Sequence, residues 1–331
     1  VTRPFALTLA LGLLLGGCGR VVSKGGEPRT PSDASTVSAS PKPARLEPLD
    51  LIPGDLDLVV RLDVASIRST LGQAPTEALL RRAQDGAATD EATRSALLDG
   101  DRVWLATRLA DFGEGDRVLI VESARTSPAT HHAERWVQAA SGADGVARYI
   151  ANDAPRRNGV AEMYEFARAR VFVSPVEAAS VRRVVKRGPD PNRGDPEARG
   201  LVSLAVRLGR PSREFVSRHP SLGRLLAGIE RLDAVVEVNE RGLTLRARLR
   251  CATRPSASKL ASFLSAFREA STERPRLAAA LGTLSAEAND ATVSVRWSLP
   301  TEVVSNLLEE PSDPIAPAAE PSPALHSSPS P

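Results

Sequence analysis

Leu56-Asp-Leu-Val-Val-Arg-Leu62 is an aliphatic, β-branched run closed by Asp63, and much later the chain repeats its last five residues, Leu58–Leu62, with one change as Leu204-Ala-Val-Arg-Leu208. Such a run reads as a buried strand, and Asp63 is placed to cap a helix beginning at Val64. Working outward from the first copy, helical spacing covers 64 to 71 and 75 to 86. Strands are expected at 102 to 109 and 116 to 123, joined by the turn Asp111-Phe-Gly-Glu-Gly115. A helix at 131 to 141 follows, then strands near 146 to 151, 160 to 166 and 168 to 173. Pro175, a residue suited to a first helical position, opens a helix to Lys186.

Arg187 to Gly200 is dense in Pro, Gly and charge and reads as a connection, after which the pattern starts again. Leu201 to Leu208 is a strand, Pro211 opens a helix to about 227, and 230 to 239 with 242 to 251 form a hairpin. A helix at 255 to 270, strands near 284 to 289 and 291 to 298, and a helix at 300 to 308 complete the second pass. Both passes share one order: strand, helix, hairpin, helix, hairpin, helix. The ending Arg170-Val-Phe-Val-Ser-Pro175 also finds its echo in Ser294 to Pro300.

The expected fold is therefore α+β, with two tandem related units at 50–187 and 200–308 joined by a linker at 188–199. Each unit is expected to be an antiparallel sheet with helices packed on one face. The two sheets either lie side by side or run on as one.

Composition narrows the function classes. At 331 residues with 42% hydrophobic content the chain has material for sizeable cores. Its 3 Trp, 2 Tyr and 7 Phe leave few stacking platforms for bases or sugars. With 43 basic and 40 acidic residues spread along the chain, no basic patch is legible in linear order, so nucleic acid is not an expected partner.

The N-terminal region reads as an export signal: Arg3, an apolar stretch from Phe5 to Leu15, then small residues. About 11 apolar residues are too few to span a bilayer, which takes about 20. Leu15-Gly16-Gly17-Cys18 resembles the lipobox of bacterial lipoproteins. That resemblance covers the first 18 residues. It implies a signal peptide at 1–17, recognition of Leu15, Gly16 and Gly17 by a dedicated peptidase, and lipid on the Cys18 thiol. Gly19 in place of Asp implies the outer membrane under the enterobacterial sorting rule. The folded part resembles lipoproteins of high-GC Gram-negative bacteria that carry no assigned activity. Residues 18–49, rich in Ser, Pro, Gly and Thr, read as a disordered tether, and 309–331 as a disordered Pro/Ala/Ser-rich tail.

Catalytic and metal-ligating patterns are isolated fragments. Ser256-Ala-Ser-Lys259 matches S-x-x-K, yet the S-D-N and K-T-G elements are missing, and helix capping by Ser256 after Pro255 accounts for it. His131, His132 and Glu134 lack the i, i+4 spacing of a zinc helix. Asp111-Phe112-Gly113 has neither a Gly-rich loop nor an H-R-D element beside it. Glu162 and Glu165 form a candidate carboxylate pair, with exposed strand positions as the plainer explanation. Cys251, ending the alternating run Leu243-Thr-Leu-Arg-Ala-Arg-Leu-Arg-Cys251, is expected to be a half-buried inert thiol.

With no catalytic residue, metal site or cofactor expected, the reading is a non-enzymatic lipoprotein held to the membrane through Cys18. Its folded part, periplasmic or surface-exposed, binds or scaffolds an envelope protein or ligand. A carrier of a hydrophobic ligand such as lipid is the alternative, and an envelope enzyme a more distant one.

Overall fold

Strand β1 (Leu58–Asp63) sits at the centre of a sheet whose order is set by how its two neighbours pair with it. On one side it pairs antiparallel with β2 (Arg102–Thr107), and on the other with β8 (Val202–Arg207), so that Leu58 faces Val206 and Leu62 faces Val202. The computed structural model describes residues 46–74, 76–77, 80, 96–108, 117–124, 136–139, 146–152, 159–191, 193–194, 196, 199–208, 227–239, 242–271, 278–279 and 281–300.

Beyond β2 come β3 (Arg117–Glu122), β7 (Ala169–Val173), β6 (Glu162–Glu165), β5 (Ala147–Ala151) and β4 (Trp136–Gln138). Beyond β8 come β9 (Ile229–Asn239), β10 (Gly242–Cys251), β12 (Thr292–Pro300) and β11 (Ser285–Asn289). The described strands thus make one continuous, wholly antiparallel sheet of twelve, joined across β1 and β8. The fold is mixed helix and strand.

Alternation assigns the side chains to two faces. Val59 and Arg61 define the front, Leu58, Val60 and Leu62 the back. On the front of the first half, Val59, Trp104, Ala106, Val118, Ile120, Val171 and Val173 are buried. They pack under Leu51, Ile52 and Leu56 and under Ala178, Val181 and Val184. Those covers come from a 3₁₀ turn (Pro48–Leu51) with the loop after it, and from a helix at Ala178–Arg187. On the back, Val64 and Ile67 of α1 (Val64–Leu71) pack against strand residues such as Val103, Leu58 and Val60. The helix at 178–187 is α2.

Helices therefore flank both faces of the first half, correcting the expectation of one face. The reason lies in the strands. All of Leu58, Val59 and Val60, and all of Val118 to Val121, are buried, and a strand apolar on both faces needs a cover on each. In the second half β10 alternates, with Leu243, Leu245, Ala247 and Leu249 to the back and Thr244, Arg246 and Arg248 to the front. Only its back needs shielding. There α3 (Arg254–Ala270) lays Ala257, Leu260 and Ala261 on Ile229, Cys251 and Val293.

Residues 136–138, expected to be helical, form edge strand β4, whose Trp136 is buried beside Val160 and Met163. Burying that ring at the sheet edge outweighs local helical spacing. Described residues of the connection lie against the front: Arg193 is ion-paired with Asp50, and Gly194 lies against Val59. Two arginines cross the centre, Arg61 donating to the Gly200 carbonyl and Arg207 to the carbonyls of Gly54 and Leu56. The helix expected at 211–227 but for its last residue, that at 300–308 beyond Pro300 (which ends β12), most of that at 75–86, and the segments 1–45 and 309–331 lie outside the described residues.

Candidate functional site

Past Arg207 the described elements cover the front only where Gly200 lies against Val235, and the side chains beyond turn polar. In register, Arg231, Asp233, Val235 and Glu237 of β9 lie beside Arg250, Arg248, Arg246 and Thr244 of β10. The next strand, β12, presents Thr292, Ser294, Arg296 and Ser298, and edge strand β11 adds Ser285, Glu287 and Asn289. A groove of about 740 Å³ runs over this surface, lined among others by Asp233, Glu237, Arg246, Arg248, Glu287 and Arg296.

Several of these charges are already satisfied. Arg231 grips Asp233 with Nε and Nη2 at 2.7 and 2.9 Å, and Arg246 pairs with Glu237. Arg250 reaches Glu230 at 3.8 Å, an exposed pair of little energetic weight. Arg296 and Glu287 have no ionic or hydrogen-bonding side-chain partner among the described residues. Thr244 and Ser298 hydroxyls meet at 3.3 Å at one end of the groove. The arrangement offers guanidinium forks and hydroxyls to a polar ligand and no nucleophile–base pair.

Two other charged clusters are closed. Glu162 is buried and receives Arg148 at 2.6 and 3.1 Å, Arg182 at 3.4 Å and the Tyr164 hydroxyl at 2.8 Å. Burial, then the Glu162 hydrogen bond and charge, push the Tyr164 phenol well above its ordinary value. Glu177, fully buried at the start of α2, is held by Arg108, which also pairs with Asp55. Burial favours the neutral Arg108, but its hydrogen bonds to Glu177 and Asp55 outweigh that and raise it above the ordinary arginine value. Both clusters fasten α2 and the N-terminal loop to the sheet.

Of the residues singled out in the sequence, Leu15, Gly16, Gly17 and Cys18 lie outside the described residues. So do His131, His132, Glu134 and the Asp111-Phe112-Gly113 turn. Glu162 and Glu165 are not a pair: an odd separation on one strand sends them to opposite faces, and Glu162 is buried among arginines rather than exposed. The cap of α3 is Thr253, whose hydroxyl accepts the Ser256 N–H at 3.3 Å. Ser256 itself hydrogen-bonds Thr253 at 2.9 Å, and Lys259 is exposed. Cys251 is more deeply buried than expected, at 3%, and burial with the nearby Glu230 carboxylate raises its thiol. Among the described residues no group of His, Cys, Asp and Glu is arranged to hold a metal, and no helix is long and apolar enough to cross a membrane.

The arginine face was hidden from a reading of composition, because the chain's acidic and basic totals almost cancel. The signal that could have found it is the alternation in β10, where Arg246, Arg248 and Arg250 fall on one face.

No family model matches the chain, and no curated protein does. Among solved structures, crystal form I of TP0453 is similar at 11% identity and a TM-score of 0.46, over 80% of this chain and 97% of that one. Forms III and IV give 10% and 11% identity and TM-scores of 0.43 and 0.44, over 80% and 81% of this chain and 98% of theirs.

Proposed function

We propose that this chain is a bacterial lipoprotein, anchored through lipid on Cys18 in the outer membrane, whose folded part is a non-catalytic docking body. The observation that carries the docking role is the groove over the front of β9–β12, lined by guanidinium, carboxylate and hydroxyl groups. A surface whose back is packed and whose polar front no described element covers beyond Gly200 suits recognition of a polar partner in the envelope. Its charged lining favours such a partner over a hydrophobic ligand.

The two-unit reading belongs to the same proposal. The orders β1-β2-β3-β7-β6 and β8-β9-β10-β12-β11 run outward from the centre in step, and the Arg61–Gly200 and Arg207–Gly54 contacts are reciprocal. Units at 50–187 and 200–308 sharing one sheet account for both. The first unit would then carry β5 and β4 as an extension.

The docking role is tested by a photo-crosslinker at Ser294 in living cells, with a control at Ser262 on α3. A single partner captured from Ser294 only, and lost with Arg248→Glu plus Arg296→Glu, is the expected result. Identical capture from both sites overturns it. Acyl labelling tests the anchor: Cys18→Ser should abolish incorporation, and equal labelling of both forms overturns the lipoprotein reading.

A further inference from the structure

The open front sets like charges against each other in two places. Arg246 stands opposite Arg296 across β10 and β12, and Arg250 opposite Arg231 across β10 and β9. Directly opposed residues lie about 4.5–5.5 Å apart at Cβ, where like charges destabilise a strand pair. Asp233 offsets Arg231 and Glu237 offsets Arg246. Arg296 has no such offset among the described residues, and Arg250 has only the exposed Glu230. The face carries five arginines (231, 246, 248, 250, 296) against three carboxylates (233, 237, 287). A sheet that places arginines this way violates its own local rules, and such violations mark binding surfaces.

The complementary charge is in the same chain. From Trp297 to Pro331 there is no Lys or Arg, while Glu302, Glu309, Glu310, Asp313 and Glu320 are acidic. Pro311, Pro314 and Pro317 carry no backbone N–H to donate and disfavour helix from 311 onward. The N-terminal region 19–47 does not compete, since Arg20, Lys24, Arg29, Lys42 and Arg45 make it basic. Reach is sufficient. β12 ends at Pro300, beside Gly242, and Arg296 lies four residues back, about 13 Å along the strand. The residues from Pro300 to Asp313 span about 28 Å with 300–308 helical, as the sequence implies, and about 43 Å fully extended, in either case more than the ~13 Å back to Arg296.

We propose that the acidic segment Glu302–Glu320 folds back and binds the arginine face of its own chain, with Arg248, Arg250 and Arg296 as its contacts. Guanidinium forks suit carboxylates in bidentate geometry. The proposal rests on the docking role of that face and adds its regulation: an acidic segment of a partner must displace the tail. Because the tail is tethered, it competes at an effective concentration in the millimolar range.

The test uses the full chain in detergent at about 50 mM salt, where surface charges are weakly screened. Two measurements separate the tail from the face. In the first, a photo-crosslinker replaces Ser312; adducts within one chain should fall on β10 or β12 and disappear at 1 M salt. Adducts elsewhere, or only between two chains, overturn the proposal and leave the docking role standing. The second is anisotropy of a fluorescent decaglutamate peptide. A chain carrying Glu309→Gln, Glu310→Gln, Asp313→Asn and Glu320→Gln should bind it at least about tenfold more tightly than the unaltered chain. Adding Arg248→Glu and Arg296→Glu should remove that binding while the circular dichroism stays unchanged. Equal affinity before and after neutralisation also overturns the tail contact. Failure of the neutralised chain to bind the peptide overturns the face as a site for acidic segments, and the proposal with it.

Discussion

Arg61 and Arg207 make the same contact in opposite directions. Arg61 Nη1 donates to the Gly200 carbonyl at 3.2 Å, and Arg207 Nη2 donates to the Gly54 carbonyl. Arg61 is the seventh residue after Gly54, and Arg207 the seventh after Gly200. Each arginine lies on the front of the sheet, in a central strand, and each reaches the loop that leads into the other's strand. Because β1 and β8 pair antiparallel, a two-fold rotation perpendicular to the sheet exchanges the two contacts. The cross-links fasten the seam between the halves, and the burial of Arg61 over the Trp104 ring at 5.8 Å adds a cation–π contact on one side.

The glycines of this reciprocal pair have unequal surroundings, which gives a first prediction. A Cβ on Gly200 would lie 2.6 Å from the Val236 carbonyl oxygen and 2.4 Å from a Val235 methyl. Main chain in the middle of a sheet cannot give way cheaply. On Gly54 the obstruction is the end of the Asp190 side chain, which can swing aside. Gly200→Ala should cost about 2–3 kcal/mol and Gly54→Ala about 1 kcal/mol or less. Urea denaturation of both variants checks this; equal losses would contradict it.

The seam was legible as a repeat, because Leu58-Val-Val-Arg-Leu62 and Leu204-Ala-Val-Arg-Leu208 carry both the buried strand pattern and the arginine that crosses it. Strands and hairpins followed from β-branched runs and turn residues, and the edges of β1, β5, β7 and β10 fall within a few residues of expectation. What linear order did not carry was long-range pairing. Nothing near Leu58 states that β8 rather than a second sheet will lie beside it. Trp136 shows the same limit, since local spacing spelled helix and a buried ring at the sheet edge decided for strand. The arginine face was present in the letters of β10, but its meaning depended on β12 bringing Arg296 opposite Arg246.

Glu162 gives a second prediction, about packing rather than chemistry. Its carboxylate is shared by Arg148, Arg182 and Tyr164, tying β5, β6 and α2 together. Glu162→Gln keeps the shape and removes the charge, leaving the guanidinium groups to find water. Arg148 is only a quarter exposed, so it does so incompletely. A loss of about 2 kcal/mol is expected, in line with hydrogen bonds to a charged group. Glu165→Gln, on the opposite face, keeps an acceptor for the Tyr149 hydroxyl and weakens a 3.7 Å pair with Arg170, so it should cost about 1 kcal/mol or less. Thermal melts of the two variants separate these outcomes.

Alkaline pH should lower the protein's stability in two successive ranges. Burial, with Glu230 nearby, raises the Cys251 thiol above its ordinary value of about 9. Burial, with Glu162 beside it, raises the Tyr164 phenol above about 10. For a group whose folded value lies above its unfolded value, the protonated form is favoured by folding. Its stabilisation is full below the unfolded value and is lost as pH rises toward the folded one. Stability contributed by Cys251 should therefore decline from about pH 9, and that from Tyr164 from about pH 10. Cys251→Ala should move the onset upward, and Tyr164→Phe should flatten the later fall. Urea titrations between pH 8 and 11 read both; an onset unchanged in Cys251→Ala would refute the earlier decline.

The start of α3 supplies the last prediction, since two hydroxyls there compete for one role. Thr253 has extended backbone angles, φ −146° and ψ 155°, with Pro255 just inside the helix. This geometry lets its side chain accept the Ser256 N–H, satisfying one of the donors a helix leaves open at its first turn. Ser256, although it fits the S-x-x-K pattern with Lys259, lies within the helix, where its hydroxyl meets the Thr253 hydroxyl at 2.9 Å and caps no backbone group. Thr253→Ala should cost about 1 kcal/mol, while Ser256→Ala, which improves helix propensity, should be neutral within about 0.5 kcal/mol. The same pair of variants separates cap from catalyst. A serine nucleophile at Ser256 would be acylated by a fluorescent penicillin in the intact protein and not in Ser256→Ala. With Thr253 as the cap and Lys259 exposed to solvent, no adduct is expected in either form.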